Sequence, residues 1–584
     1  MDCHKKIQIK IWQLVFIIFL SIICIVLALT GWFRTIDPVG YRNLTKINNV
    51  TRIFNENKRL LASFLDDIGS PPKLNNPQSY VQWTVLQMND VYELIPLGGG
   101  TKGGLARVAT IRQLLLKENP NTITILSGDI VSPSALGNSI VNGSMLNGKQ
   151  MIATLNVLGL DYATLGNHEF DLKVESLRRR LNESRFQWIA SNVYERNTTK
   201  SFHNVLPYKI ITMKNIKILL IGLTIDDNMG PPTAERYVTI TPQRGLPEFT
   251  HQLLKHLREN LNLKWDIIIC LTHLNMQNDI EIVEHNPSID VLMGGHEHEN
   301  YYLKRGSKHT PIYKADDNAF SVFIHRFAYQ PKTKQLLIFS KLTQVSRRFK
   351  DEPETAKIAD YFYQAGLQAY RVADKERSSS LMGFYSSRQL FCHIKTFFRS
   401  YVPEHVVCVL PAGLNFDGRS AVIRSQQTHL TRALCKAMMD AVHTSICVFN
   451  AGAIRLDDQL MGTITQYDIL RCLPFLTNIT SVRVDGITLV KALNRGLHNI
   501  NTGMFVTYSG LEYDATLEKW FLLSPRQPLE DENLILTIAS IPYFIQNTEL
   551  RNASEAQPTN ITMTRAFIDY LEKNYAKVTH HKLP

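Results

Sequence analysis

From residue 80 onward, short apolar runs alternate with longer stretches in which apolar positions recur at helical spacing. WTVLQ, TITILSGD and YATLGN have the dense apolar and β-branched content of buried strands, while ARVATIRQLLLKE and KQMIATLNVLG between them repeat with the helical period. Strands alternating with helices predict an α/β fold. The stretch ETAKIADYFYQAGLQAYRVADKER predicts a charged, amphipathic helix, so residues 351–384 read as a linker between an α/β region at 80–350 and a second, mixed α/β region at 385–584. Residues 34–79, rich in Asn, Pro and Ser, read as a polar stalk with one short helix in FNENKRLLASFLDDI. No fixed-period repeat is present.

The longest apolar run lies upstream of all this. Ile11 to Phe33 contains no formal charge over 23 residues, and a helix of that length at ~1.5 Å per residue spans the ~30 Å hydrocarbon core. A cleavable signal peptide needs only ~7–15 apolar residues before a small-residue cleavage site, so an uncleaved anchor is the favoured reading, with secretion as the alternative. Lys5, Lys6 and Lys10 precede the run, which places residues 1–10 in the cytosol and the bulk of the chain outside, as a single-pass type II protein of the cell membrane. Acceptor sequons for glycans at Asn43, Asn49, Asn142, Asn182, Asn197, Asn478, Asn552 and Asn560 all lie beyond the anchor and fit that orientation. The final residues, YAKVTHHKLP, carry no apolar tail, so no lipid anchor is expected there. Cys270, inside WDIIICLTH, reads as a core thiol, whereas Cys392, Cys408, Cys435, Cys447 and Cys472 crowd a region where an oxidising compartment favours disulfides. Five is odd, which leaves Cys472 as the expected free thiol.

Composition narrows the class. The 584 residues exceed what one compact core holds, and 44% hydrophobic with 20% charged residues excludes a largely disordered chain. A mean hydropathy of −0.11 excludes a polytopic membrane protein. The net charge of +12 raises the prospect of a polyanionic partner, but +5 of it lies in residues 1–80 and only +2 in residues 385–584. Without a basic stripe, a nucleic-acid polymer is not an expected partner.

Five apolar runs each finish on a metal-binding residue type. VLQMND ends at Asp90, ITILSGD at Asp129, YATLGNHEFD at Asn167 and His168, IIICLTH at His273, and IDVLMGGHEH at His296 and His298. Ligands on separate strand ends can converge at one sheet edge. Asp, Asn and His together suit borderline divalent ions such as Zn²⁺, Mn²⁺, Co²⁺ or Fe²⁺, and a shared carboxylate between two ions is the layout of two-metal phosphoester hydrolysis.

With these blocks in view, the sequence resembles the 5′-nucleotidase family of calcineurin-like metallophosphoesterases. LQMNDVYEL, LSGD, LGNHEFD, LTH and GGHEHE match its successive metal blocks, and GNHEFD is the most specific. RSQQTHLTR (424–432), NAGAIR (450–455) and GTITQYDILRCLPF, ending at Phe475, match blocks of its C-terminal domain. The resemblance implies a four-layer α/β/β/α metallophosphoesterase sandwich, a C-terminal mixed α/β substrate-binding domain and two divalent ions, zinc foremost. It implies Asp129 as the bridging carboxylate, with Asp90 and His298 on one ion and Asn167, His273 and His296 on the other. His168 is then the group acting on the phosphate or leaving group, with Asp171 orienting its ring. Arg424 and Arg455 would bind phosphate oxygens, Asn450 base or ribose, and Phe475 would stack on a base. Cys435 with Cys447 matches a bridged pair, and Cys392 with Cys408 is the expected second. Relatives are often homodimers, and a homodimer is a further expectation.

Two departures from the family pattern bear on function. The first block normally runs Asp-x-His, but here Tyr92 follows Asp90, standing either as a ligand or as a neighbour of the ion. The second clamping aromatic of the family is absent: after IPYFIQN comes TELRNASEA, with Tyr543 and Phe544 the nearby aromatics. The leading expectation is a cell-surface phosphohydrolase acting on extracellular nucleotides. The alternatives are hydrolysis of another small phosphoester, or a surface binding protein that has lost activity.

Overall fold

The computed structural model describes residues 67–226, 237–382, 401–531 and 533–575, with backbone alone at 372–382. The expected anchor at 11–33, most of the stalk, Asn43, Asn49 and Cys392 lie outside the described residues. Among the described residues no helix is long and apolar enough to cross a membrane.

The N-terminal lobe contains twelve principal strands: β1 (Val81–Met88), β2 (Thr122–Ser127), β3 (Tyr162–Thr164), β4 (Gln187–Trp188), β5 (Tyr208–Met213), β6 (Ile216–Thr224), β7 (Ile267–His273), β8 (Val291–Gly295), β9 (Tyr301–Arg305), β10 (Thr310–Lys314), β11 (Ser321–Gln330) and β12 (Gln335–Gln344). They form two six-stranded sheets, ordered β12-β11-β1-β2-β3-β4 and β9-β10-β8-β7-β6-β5. Within the first, β1, β2, β3 and β4 are parallel, and within the second, β6, β7, β8 and β10 are.

Two-residue periodicity sorts each strand between two cores. Val81, Trp83 and Val85 of β1 face the second sheet and meet Ile218, Leu220, Ile267 and Ile269. Leu86 and Met88 turn outward beneath the helices Leu105–Glu118 and Lys149–Leu158. Trp83 stacks on Phe327 with ring centroids 4.7 Å apart. On the far side, helices Leu246–Lys255 and Met276–His285 pack on each other, and the latter lies on the second sheet. The lobe is therefore helix, sheet, sheet, helix.

The C-terminal lobe is built on a five-stranded sheet of β13 (Cys447–Asn450), β14 (Asn478–Asp485), β15 (Val506–Ser509), β16 (Ile535–Ser540) and β17 (Glu555–Thr562), in the order β15-β13-β16-β14-β17. Helices His429–Val442, Gly486–His498 and Met563–Asn574 share its core. Thr428 caps the first of these through a reciprocal capping box with Thr431, so the RSQQTHLTR stretch doubles as a helix start.

The expected linker helix forms as Pro353–Met382, but it is no free span. Ala359, Phe362 and Leu367 are buried on the N-terminal lobe, and Tyr363 meets Tyr467 of the C-terminal lobe edge-on. Buried Glu93 accepts hydrogen bonds from Tyr467 (3.0 Å) and Arg471 (3.2 Å) across the seam.

The cysteines depart from expectation. Cys408, Cys435, Cys447 and Cys472 are all buried free thiols, as is Cys270. The Cys435 thiol lies 3.9 Å from the Cys447 carbonyl and beside the Cys447 thiol, which also reaches the Met438 sulfur (3.8 Å). The two side chains are neighbours packed as small apolar groups rather than a bridge, and Cys408 has no described partner to bridge with.

Because Phe327 fills the space between the two sheets at 2% exposure, Phe327→Ala should cost about 3–5 kcal/mol of stability in chemical denaturation. A loss under about 1 kcal/mol would show that the inter-sheet core relaxes around the cavity.

Candidate active site

The parallel strands of both sheets deliver their C-terminal ends to one edge, where open α/β sheets place their ligands. Asp90 lies two residues past β1, Asp129 two past β2, Asn167 three past β3, His273 at the last position of β7, and His296 one past β8. Asp90, Asp129 and His296 hold left-handed backbone conformations, with φ of 52°, 56° and 84°. For side-chain-bearing residues this region is uncommon and strained, and it persists only where surrounding contacts impose it. Here they do: the Asp90 N–H donates to the Gly128 carbonyl (3.1 Å), and the Asp90 carboxylate accepts from the His296 N–H (2.9 Å). The glycines of the motifs serve approach distance. A Cβ on Gly166 would stand 2.1 Å from Asp129 Oδ1, and one on Gly128 2.4 Å from His273 Nδ1.

Asp90 and Asp129 are fully buried, and the groups beside them titrate accordingly. Burial alone would lower the pKa of His273, but Asp129 and Asp90 push it up to about 9. Burial would likewise lower that of His298, but Asp457 and Asp90 push it up to about 10. Burial also raises the Asp129 pKa, yet His273 and His168 outweigh it and hold the carboxyl well below its ordinary range. A buried dicarboxylate of this kind demands positive charge.

The donor set fits divalent cations. Asn167 Oδ1 and His273 Nε2 are buried without a hydrogen-bond partner, although His273 Nε2 stands 3.2 Å from Asp129 Oδ2. Ligand atoms of Asp90, Asp129 and His273 lie within 4.8 Å of one another. Tyr92 sits in the middle of the other half. Its hydroxyl is 3.1 Å from Asp129 Oδ2, 3.2 Å from His298 Nε2 and 3.4 Å from Asp90 Oδ1, and Arg455 donates to it at 3.4 Å. Burial first, then Asp129 and Asp90, raise the phenol pKa well above its ordinary value.

A cavity of about 430 Å³ opens between the lobes over this edge. The N-terminal lobe contributes Asp129, Asn167, His168, His296 and His298, and the C-terminal lobe contributes Arg424, Asn450, Arg455, Phe475 and Tyr543. Asp90, Tyr92 and His273 lie behind its wall. His168 donates its backbone N–H to Asp129 (2.9 Å) and pairs its Nδ1 with Asp171 (2.8 Å). Phe475, open to core and stacking readings alike in the sequence, is 42% exposed at the cavity. Tyr543 faces the cavity, whereas Phe544 is core and no clamp residue. Gln427 is spent on the backbone of Val506 (2.9 Å).

Four functional positions escaped the sequence reading. Glu169, inside GNHEFD, accepts from the backbone N–H groups of Asp129 (3.0 Å), Ile130 (2.6 Å), Val131 (3.2 Å) and Gly166 (2.5 Å), tying the Asp129 and Asn167 turns together. Burial and Asp129 raise its pKa to about 7. Lys314, wholly buried, bonds Asp279 (2.8 Å) and Glu297, the residue between His296 and His298. Asn89 Nδ2 donates to Asp90 Oδ2 at 2.9 Å. Asp457, two residues past Arg455, binds His298 from the opposite lobe. Glu169 and Asn89 lie inside the motif blocks and could have been found there; Lys314 and Asp457 have no local signature.

Known proteins match in the same two parts. The profile of the calcineurin-like phosphoesterases matches residues 84–300, and that of the 5′-nucleotidase C-terminal domain matches residues 407–520. A 5′-nucleotidase of Mus musculus is 24% identical over 485 residues, covering 75% of this chain and 76% of that protein. The crystal structure of a 5′-nucleotidase precursor from Thermus thermophilus superposes with a TM-score of 0.66 at 19% identity, over 84% of this chain and 96% of that one. A sulfate thiohydrolase, SoxB, of Thermus thermophilus superposes with a TM-score of 0.60 at 15% identity, over 86% and 95%.

Two outcomes are expected. Glu169→Gln turns one of the two carboxylate oxygens into an NH₂ that faces two of the four backbone donors, and metal content measured by elemental analysis should fall by at least half while the folded far-UV signature stays; full metal content would remove Glu169 from the site. Since His273 and His298 carry protons at neutral pH without metal, ion binding must release them and weaken as pH falls. Calorimetry at pH 7 in buffers of differing ionisation enthalpy should register net proton release on ion binding, and none would contradict the charge assignment.

Proposed function

Because the chain belongs to the 5′-nucleotidase family and is a hydrolase of the metallophosphoesterase type, we propose that it removes phosphate from a nucleotide held in the cavity between its lobes, with two divalent cations, zinc foremost. The observation that carries this reading is the cavity itself, which faces the metal-ligand edge on one side and Arg424, Asn450, Arg455, Phe475 and Tyr543 on the other.

Asp129 would be shared by both cations, with Asp90 and His298 on one side and Asn167, His273 and His296 on the other. When bound, the pair supplies charge neutralisation of phosphoryl oxygens and an acidified water. We place Tyr92 in the ligand shell: donor atoms around a first-row ion with bonds of ~2.0–2.2 Å stand about 3 Å apart, which is the spacing of its hydroxyl from the Asp129 and His298 donors. His168, held by Asp171, donates to the phosphate or the departing oxygen. Asp171 is braced in turn by the Ser132 hydroxyl (2.9 Å). Arg424 and Arg455 offer guanidinium forks to the phosphate. Asn450, whose Nδ2 is fixed on the Gly503 carbonyl (2.9 Å), keeps Oδ1 unpartnered for base or ribose. Phe475 and Tyr543 would sandwich the base.

The cell-surface setting belongs to the same proposal. It rests on the uncharged run Ile11–Phe33 and on the six described sequons, Asn142, Asn182, Asn197, Asn478, Asn552 and Asn560, all of them exposed.

Phosphate release from a nucleotide panel should be abolished by chelator, and chelator-insensitive or absent release would favour a binding protein. His168→Ala should lower kcat about 10²–10⁴-fold with metals retained; near-normal turnover would refute its role. Phe475→Ala and Tyr543→Ala should each raise KM for nucleotides several-fold to about a hundredfold, as loss of a stacking contact does, without changing KM for ribose 5-phosphate. Equal effects on both substrates would remove the base clamp. Tyr92→His should raise metal occupancy or change metal preference, and no change in either would place the phenol outside the ligand shell.

A further inference from the structure

His298 reaches into the ligand set through Nε2, which lies 3.4 Å from Asp90 Oδ1 and 3.2 Å from the Tyr92 hydroxyl. Its other nitrogen, Nδ1, is bound by Asp457 Oδ2 at 2.6 Å. His298 belongs to the N-terminal lobe and Asp457 to the C-terminal lobe, on the segment that follows NAGAIR. The side chains are 3% and 5% exposed, so water competes little for the contact. Asp457 is itself held, accepting from the Ser420 N–H through Oδ1 at 2.9 Å. Metal-binding histidines generally give their second ring N–H to a carboxylate, which selects the tautomer and aims the ligating nitrogen; loss of that partner typically costs 10–100-fold in metal affinity. Here that partner is supplied across a lobe boundary.

We propose that Asp457 is a positioning residue for His298, so that the cation site of Asp90, Asp129 and His298 is complete only when the two lobes are apposed, and binding there and lobe apposition favour each other. The inference rests on the two-cation reading above. The coupling is reciprocal by linkage: whatever affinity apposition adds, binding returns as preference for the apposed arrangement. The neighbouring residue provides an internal control. Asp458 also crosses the seam, to Lys102 at 2.7 Å, but bonds no metal-ligating side chain.

The test uses the purified protein, stripped of metal and titrated with Co²⁺, following visible absorbance. Wild type should bind two ions. Asp457→Ala should weaken one of the two steps 10–100-fold and alter its absorbance, Asp457→Glu should recover most of the loss, and Asp458→Ala, which removes a seam contact but leaves the His298 partner in place, should weaken that step far less. In hydrogen exchange, Co²⁺ should slow the seam peptides around 93 and 457–471 in wild type and Asp458→Ala, but much less in Asp457→Ala. Unchanged cobalt affinity in Asp457→Ala would overturn the inference while leaving the two-cation reading intact. An equal loss in Asp458→Ala would also overturn it, by showing that seam contact in general matters and the His298 contact does not. Failure of wild type to bind cobalt would sink both.

Discussion

Asp90 and Asp129 are carboxylates at 0% and 1% exposure within about an ion's reach of each other, and an uncompensated pair of buried negative charges would be untenable. Much around them answers that demand. His273 and His298 are pushed to high pKa, Asn89 and the His296 N–H donate to Asp90, the His168 N–H donates to Asp129, and Arg455 stands behind Tyr92. The same demand accounts for the strained backbone. Left-handed Asp90, Asp129 and His296 cost free energy that the two-sheet sandwich supplies by fixing the ends of β1, β2 and β8.

A site built this way leaves substrate choice to the other lobe. The edge of the sandwich furnishes charge and cations, but a fold of this kind does not name what is cleaved; the Thermus thermophilus 5′-nucleotidase precursor and the SoxB sulfate thiohydrolase superpose on this chain to similar extents. On the proposed reading discrimination falls to Arg424, Asn450, Arg455, Phe475 and Tyr543, which stand opposite the ligand edge across a seam spanned by Glu93 with Arg471 and Tyr467, and by Lys102 with Asp458.

The gathering of these residues at one sheet edge was legible in the sequence because strand periodicity and residue chemistry coincide: an apolar run reports a buried strand, and the polar residue ending it reports the sheet edge. The order of the strands, and hence which ligands pair, was not legible from the runs themselves, since pairing is set by long-range register. Glu169 stood inside GNHEFD, but its role did not show there, because its four partners are backbone groups, which leave no mark on composition. Lys314 and Asp457 were hidden because each is defined by a partner distant in the chain. The cysteines misled for the opposite reason. Compartment predicted bridges and the family resemblance paired Cys435 with Cys447, but the two are adjacent buried free thiols.

The departures from the family pattern sort themselves by where they land. In RSQQTHLTR, Gln427 holds the Val506 backbone and Thr431 shares the cap of the helix His429–Val442, so both serve local structure. Tyr92 and Tyr543 instead reach the site: one contacts three metal-ligating side chains and Arg455, the other faces the cavity where Phe475 does. Arg455 links the two, because it touches the phenol and lines the cavity. On the proposed reading, the Tyr92 oxygen stands within interaction range of the guanidinium offered to substrate phosphate, at a separation where Coulomb interactions in a buried setting are strong. With Tyr92 in the ligand shell and Arg455 on the phosphate, as proposed, the phenol at position 92 would join ion binding to substrate binding through one contact, which an imidazole without that hydroxyl would not make in the same way.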